Sequence, residues 1–175
     1  MGIFIHGEKE KIDDDKLLEL IDSFKGRLYK IAYVYTKNQE DAKDILQDTV
    51  YKAFLNISQL KDINSFQGWV TRILINSALD FIKKNKKYIH DNKNIIENIA
   101  VNDTDYIDLY EAIDKLSSNL KSVIILKYFE DYKISDIAMI LHISESQVKN
   151  YLHKGLVQLR KDFSEEAVEA LNVFF

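Results

Sequence analysis

A chain of 175 residues can bury about 70% of its unfolded surface if it folds as one body, so its length accommodates one or two small domains. It has no Cys, and its four His (His6, His90, His142, His153) are scattered; this excludes a disulfide framework, a thiolate nucleophile and a recognisable zinc site. The net charge of −4 argues against indiscriminate nucleic-acid binding.

Absent Pro, few Gly and abundant Ile, Leu, Lys and Asp predict an all-α fold. Met1 and Gly2 look like the start of an acylation signal, but His6 stands where that motif places Ser or Thr. No signal-peptide apolar region follows. The apolar run Val123 to Leu126 falls far short of the ~20 residues of a spanning helix, so a soluble, cytoplasmic protein is expected.

The first unit is expected over residues 15–84. Leu17, Leu20, Ile21, Phe24, Leu28, Ile31 and Ala32 recur at helical spacing, with Asp13 to Asp15 as a helix-start charge cluster. Ala42, Ile45, Leu46, Thr49, Val50, Ala53 and Phe54 mark a second helix, whose outer side carries Asp41, Asp44 and Asp48. The polar stretch Asn56 to Ser65 interrupts the pattern. A third helix is expected from about Phe66 to Lys84, burying Val70, Ile73, Leu74, Ala78 and Phe81. Its opposite side carries Arg72, Asn76, Asp80 and Lys83, a stripe that suits either a nucleic-acid face or ordinary solvent.

Residues 85–107 are polar and Asn-rich and are expected to form a linker, in which Ile95, Ile96, Ile99 and Val101 offer a short apolar segment. The second unit is expected over 108–163. Within it Ile134, Ile137, Ala138 and Leu141 line one side of a helix, and His142 and Ile143 make the break. Ser144 is a candidate N-cap for a further helix with Val148, Leu152, Leu156 and Leu159 on its apolar side. Ser146, Asn150 and His153 lie opposite, flanked by Gln147, Lys149 and Lys154. A plain two-helix corner shares this periodicity, but the polar residues favour a helix-turn-helix DNA reader. The tight-turn position usually taken by Gly is His142, which tolerates positive φ better than most residues. Gly155, costly in a helix interior, marks a close packing or backbone approach.

Charge is unevenly spread. Residues 72–93 carry six Lys or Arg against two Asp, and 144–161 four against one Glu, while 97–114 and 162–175 are acidic without Lys or Arg. Two basic patches insulated by acidic segments suit a protein that touches DNA at two places.

Two ordered blocks resemble the extracytoplasmic-function group of bacterial RNA polymerase sigma factors. The first comprises Leu28-Tyr-Lys-Ile-Ala-Tyr, Asp41-Ala-Lys-Asp-Ile-Leu-Gln-Asp-Thr-Val, Ala53-Phe54 and Phe66-Gln-Gly-Trp-Val-Thr-Arg-Ile, with Asn76, Asp80 and the following lysines. The second comprises Leu116, Leu126-Lys-Tyr-Phe-Glu, Ile134-Ser-Asp-Ile-Ala, Ile143-Ser and Val148-Lys-Asn-Tyr-Leu-His-Lys-Gly.

The resemblance implies two small helical domains, sigma domains two and four, joined by a linker. It implies core RNA polymerase and promoter DNA as partners, with a membrane-tethered anti-sigma protein as regulator, and no cofactor or small-molecule substrate. The regulon would be an alternative one of stress or envelope type. Asp41, Asp44, Gln47 and Asp48 become candidate polymerase contacts. Leu60, Asn64, Ser65 and Phe66 become a candidate pocket for a flipped base of the minus-ten element, beside Arg72, Asn76, Asp80 and Lys83. Trp69 suits a stacking platform less well than core packing. For the minus-thirty-five element, Lys149 and Lys154 would anchor phosphates and Ser146, Gln147, Asn150 and His153 would reach bases.

Promoter elements roughly 16 base pairs apart lie about 55 Å apart at ~3.4 Å per step. A flexible linker of about 23 residues has a typical span near 25–30 Å. Core polymerase would supply the missing separation, so weak promoter binding by the free protein is expected. Two rivals stay open: a free-standing dimeric helix-turn-helix regulator, and a sigma-like module that sequesters an anti-sigma protein. An enzyme is least expected, since no nucleophile, base or phosphate loop clusters.

Overall fold

In the computed structural model, residues 12–89 and 104–162 are described, and all their regular structure is helical. Met1, Gly2 and His6, the apolar segment Ile95 to Val101, and the acidic stretch after Asp162 lie outside the described residues.

Helix α1 (Asp14–Thr36) begins as its acids require. The Asp13 carboxylate accepts the Lys16 N–H at 2.8 Å, and Asp14 and Asp15 sit in the first turn, where the helix dipole favours negative charge. Lys37 ends it in the left-handed conformation, returning its N–H to the Tyr33 carbonyl. Asn38 then caps α2 (Gln39–Leu55), its side-chain oxygen accepting from the N–H groups of Glu40 and Asp41 at 2.8 and 3.0 Å. Two 3₁₀ turns, Ile57–Gln59 and Ile63–Ser65, bring the chain to α3 (Phe66–Ile89). These three helices pack on one another, with Leu17, Leu28, Ile31, Ala42, Ile45, Ala53, Val70, Leu74 and Ala78 in their core.

Helix α3 runs five residues beyond Lys84, because neither Pro nor Gly interrupts its lysine-rich end. Helix α4 (Thr104–Lys115) begins before 107, so the segment expected as linker is helical at both ends.

In the second unit, α5 (Ser118–Ile124) passes into a π-helical turn, Ile125–Phe129. The run Val123 to Leu126 is fully buried there. Helices α6 (Ile134–Leu141) and α7 (Glu145–Asp162) follow, with α7 packed across α5 and α6. Gly155 permits that approach: a Cβ at this position would stand 3.0 Å from Cγ1 of Ile124.

The two units lie against each other. Helix α3 packs on α6, and a second side of α3 is thereby buried, taking Thr71 and Ile75 out of solvent. One seam therefore joins units that the sequence pattern keeps separate.

Candidate nucleic-acid interface

The turn between α6 and α7 forms because His142 takes φ 53° and ψ 47°, the left-handed cap suggested by its place in the sequence. The Ile143 N–H reaches back to the Ala138 carbonyl at 3.1 Å, closing the end of α6. On the far side Ser144 and Gln147 cap α7 reciprocally. The Gln147 N–H donates to the Ser144 hydroxyl at 3.2 Å, and the Ser144 N–H donates to the Gln147 side-chain oxygen at 3.1 Å.

Along α7, Val148, Leu152 and Leu159 are buried and Leu156 is partly buried. Ser146, Gln147, Lys149, Asn150, His153 and Lys154 are all exposed. A helix fixed at its start, anchored along one side and polar along the other can lay donors and acceptors in a major groove. Gln147 differs from its neighbours, since its side-chain oxygen is already engaged in the cap.

In the first unit the candidate residues divide. Asn64 and Ser65 are exposed in the second 3₁₀ turn, where the Asp62 carboxylate caps the Asn64 N–H at 3.0 Å. Leu60 and Phe66, expected in the same pocket, are only 7% and 3% exposed. Phe66 meets Phe24 edge-on at 6.3 Å and lies 6.5 Å from Trp69. Both pack into the core beneath the loop, which leaves Asn64 and Ser65 as the exposed members of that candidate set. Trp69 packs against the same core, partly buried.

Asn76, Asp80 and Lys83 are exposed on α3, as a nucleic-acid stripe requires. Arg72 is held instead by the second unit. Its guanidinium meets Nε2 of His142. The head of the stripe thus lies under the helix-turn-helix turn.

On α2, Asp44, Gln47 and Asp48 are exposed and Asp41 is half-buried. Burial, then the Asp44 charge, pushes the Asp41 carboxyl up. Burial would raise Asp48 as well, but hydrogen bonds from Lys52 and Ser77 and the charges of Lys52 and Lys84 outweigh it and hold this carboxyl below its usual range. Lys52 bridges to Asp48 at 2.7 Å and to Ser77 on α3 at 2.9 Å, so the acidic face is tied to α3.

The seam holds polar contacts that the sequence pattern does not reveal. Arg27 of α1 donates through Nε to the Glu130 carboxylate and through Nη2 to the Glu130 carbonyl, with Phe24 and Tyr132 rings at 5.7 and 5.3 Å. Burial raises the Glu130 carboxyl, although the Arg27 charge pulls it down. The Ser122 hydroxyl donates to the Ser118 carbonyl, so Tyr35 donates to Ser122 Oγ, at 2.8 Å. Lys37 and Lys121 share Asp114 at 2.6 and 2.7 Å. Arg27 and Glu130 stand 103 residues apart, and no local pattern links them.

Comparison with known proteins places both units. Sigma-70 region 2 matches residues 20–88 and sigma-70 region 4 matches residues 106–159. The chain is 32% identical to the RNA polymerase sigma factor SigV of Bacillus subtilis, covering 91% of this chain and 98% of that protein. It is 26% identical to the ECF RNA polymerase sigma factor SigW of the same organism, covering 89% of this chain and 93% of that one. Among solved structures, the fold is similar to the sigma factor RpoE in complex with the anti-sigma factor NepR from Bartonella quintana. That match has a TM-score of 0.66 and 20% identity over 85% of this chain and 96% of that one. CnrH in complex with the cytosolic domain of CnrY is similar too, with a TM-score of 0.65 and 16% identity over 85% and 88% of the two chains.

Proposed function

This chain belongs to the extracytoplasmic-function group of the sigma-70 family, whose members direct RNA polymerase to promoters, and from that premise we propose how its residues divide the task. The unit over 15–84 binds core RNA polymerase through Asp41, Asp44, Gln47 and Asp48 on α2. Its loop and α3 take the minus-ten element through Asn64, Ser65, Asn76, Asp80 and Lys83, joined by Arg72 when that side chain leaves His142. The unit over 108–163 takes the minus-thirty-five element through α7. Lys149 and Lys154 anchor phosphates, and Ser146, Asn150 and His153 face base edges.

The observation that carries this reading is α7 itself: a capped helix with a buried apolar side and an exposed row of amide, hydroxyl, imidazole and ammonium groups. Its work is recognition and not catalysis, done in the cytoplasm where promoter DNA lies. RpoE and CnrH are each described in complex with a partner, NepR being an anti-sigma factor. An anti-sigma protein, membrane-tethered in our reading, is the regulator proposed here.

Transcription in vitro with core polymerase and genomic template tests the reading. Initiation at a discrete set of sites only when this chain is added, with site choice altered by Asn150→Ala, is the expected result. A two-fold symmetric footprint without polymerase would favour the dimeric regulator.

A further inference from the structure

We propose that the free protein is held closed by an intramolecular latch, Arg27 of α1 seated against Glu130 and Tyr132 of the second unit, which keeps Arg72 under the helix-turn-helix turn. Only the consequence at the promoter rests on the function proposed above; the closure itself does not.

The receptacle is built for the guanidinium. The π-helical turn Ile125–Phe129 ends at Glu130, Asp131 takes φ 50°, and the Tyr132 N–H returns to the Leu126 carbonyl at 3.0 Å. This widened corner turns both the carboxylate and the carbonyl of Glu130 toward one point. Glu130 is 5% exposed, so its charge depends on Arg27 for a partner. Tyr132 also reaches back to Thr71 on α3, hydroxyl to hydroxyl at 3.3 Å.

A second clasp lies two turns along α1, where Tyr35 meets Ser122 and Lys37 meets Asp114. Between α3 and the second unit the fit is looser. A cleft of about 160 Å³ opens there, lined by Arg72, Asn76, Asn119, Ile140, Ile143 and Tyr151 among others. Polar clasps around a cleft describe a seam that can part, as interfaces between domains of one chain commonly do.

Closure and promoter engagement exclude each other on distance. Two promoter elements separated by about 55 Å cannot both be met by units in direct contact. Opening must also free the guanidinium of Arg72 from His142 before it can face DNA.

The chain has no Cys, so Lys43→Cys and Lys161→Cys, both at exposed positions, allow two spin labels on the full chain. Pulsed electron resonance on the unliganded protein should give one narrow distance distribution. Arg27→Met should broaden it toward longer distances with helical circular dichroism retained. Arg27→Met with Glu130→Met should restore much of the narrow component, because the double variant leaves no buried Glu130 carboxylate stranded without its partner. If Arg27→Met does not fold, Arg27→Lys, which cannot make both bonds from between the two rings, serves in its place. A broad distribution for the starting protein, or a folded Arg27 variant that stays narrow, overturns the latch. Binding of a fluorescent single-stranded minus-ten oligonucleotide should tighten several-fold on opening. Opening without tighter binding would keep the latch and refute the DNA role of Arg72.

Discussion

Ser144 and Gln147 close the start of α7 on each other, each donating its backbone N–H to the side-chain oxygen of the other. Gln147→Ala should cost about 1 kcal/mol, lowering the melting temperature by roughly 2–4 °C. Gln147→Glu keeps the pattern of the capping box and should hold stability. If its promoter affinity also stays within error, Gln147 serves the cap alone. A changed preference among promoter sequences at unchanged melting temperature, beyond the uniform loss that an added negative charge causes, would return it to the base-reading set.

Lys149 and Lys154 project from the exposed side of α7 with no ion-pair partner recorded among the described residues. Replacing both with Ala should weaken holoenzyme binding to promoter DNA and lower the log–log salt slope by about 2, one per phosphate contact. An unchanged slope would remove this helix from the DNA.

Gly155 lies where α7 crosses α5, and an added Cβ would stand 3.0 and 3.2 Å from two carbons of the fully buried Ile124. Ala gains about 1 kcal/mol in helix propensity, but crowding a packed core costs about 1–3 kcal/mol. Gly155→Ala should therefore be net destabilising in denaturant titrations. Net stabilisation would mean that α5 yields at this contact.

The Asp48 carboxyl is held below its usual range in the folded protein by Lys52 and Ser77, against its partial burial. A depressed folded value means that the contribution is present above the unfolded value of about 3.9 and is lost as pH falls through the lowered one. Melting temperature measured from pH 5 downward should fall more gently in Asp48→Asn than in the parent. The difference should be small because both side chains of the Asp48–Lys52 pair are substantially exposed. Parallel curves would show that this carboxylate does not contribute to acid sensitivity.

Where structure follows local periodicity, it was legible in the chain. The spacing of Ile137, Ala138, Val148, Leu152 and Leu159 places α6 and α7, and His142 takes the turn. The role of Gln147 was also present as Ser-x-x-Gln, a capping signal outweighed by its position among exposed polar neighbours. The burial of Leu60 and Phe66 was not legible, because likeness to a family carries positions and not the direction in which a side chain points. The seam was illegible for another reason. Thr71, Ile75 and Glu130 are buried, and Arg27 is paired, by a unit far along the chain, and one-helix patterns register only the first face that packs.

In the function proposed above, α2 grips core RNA polymerase. The direct measurement is competition between this protein and the primary sigma factor for purified core enzyme, with an Asp44→Ala and Gln47→Ala double variant alongside. Displacement at sub-micromolar concentration is expected, with at least tenfold weaker competition by the folded variant, about 1.4 kcal/mol. Failure of the folded parent protein to compete, or a variant that competes equally well, would contradict it.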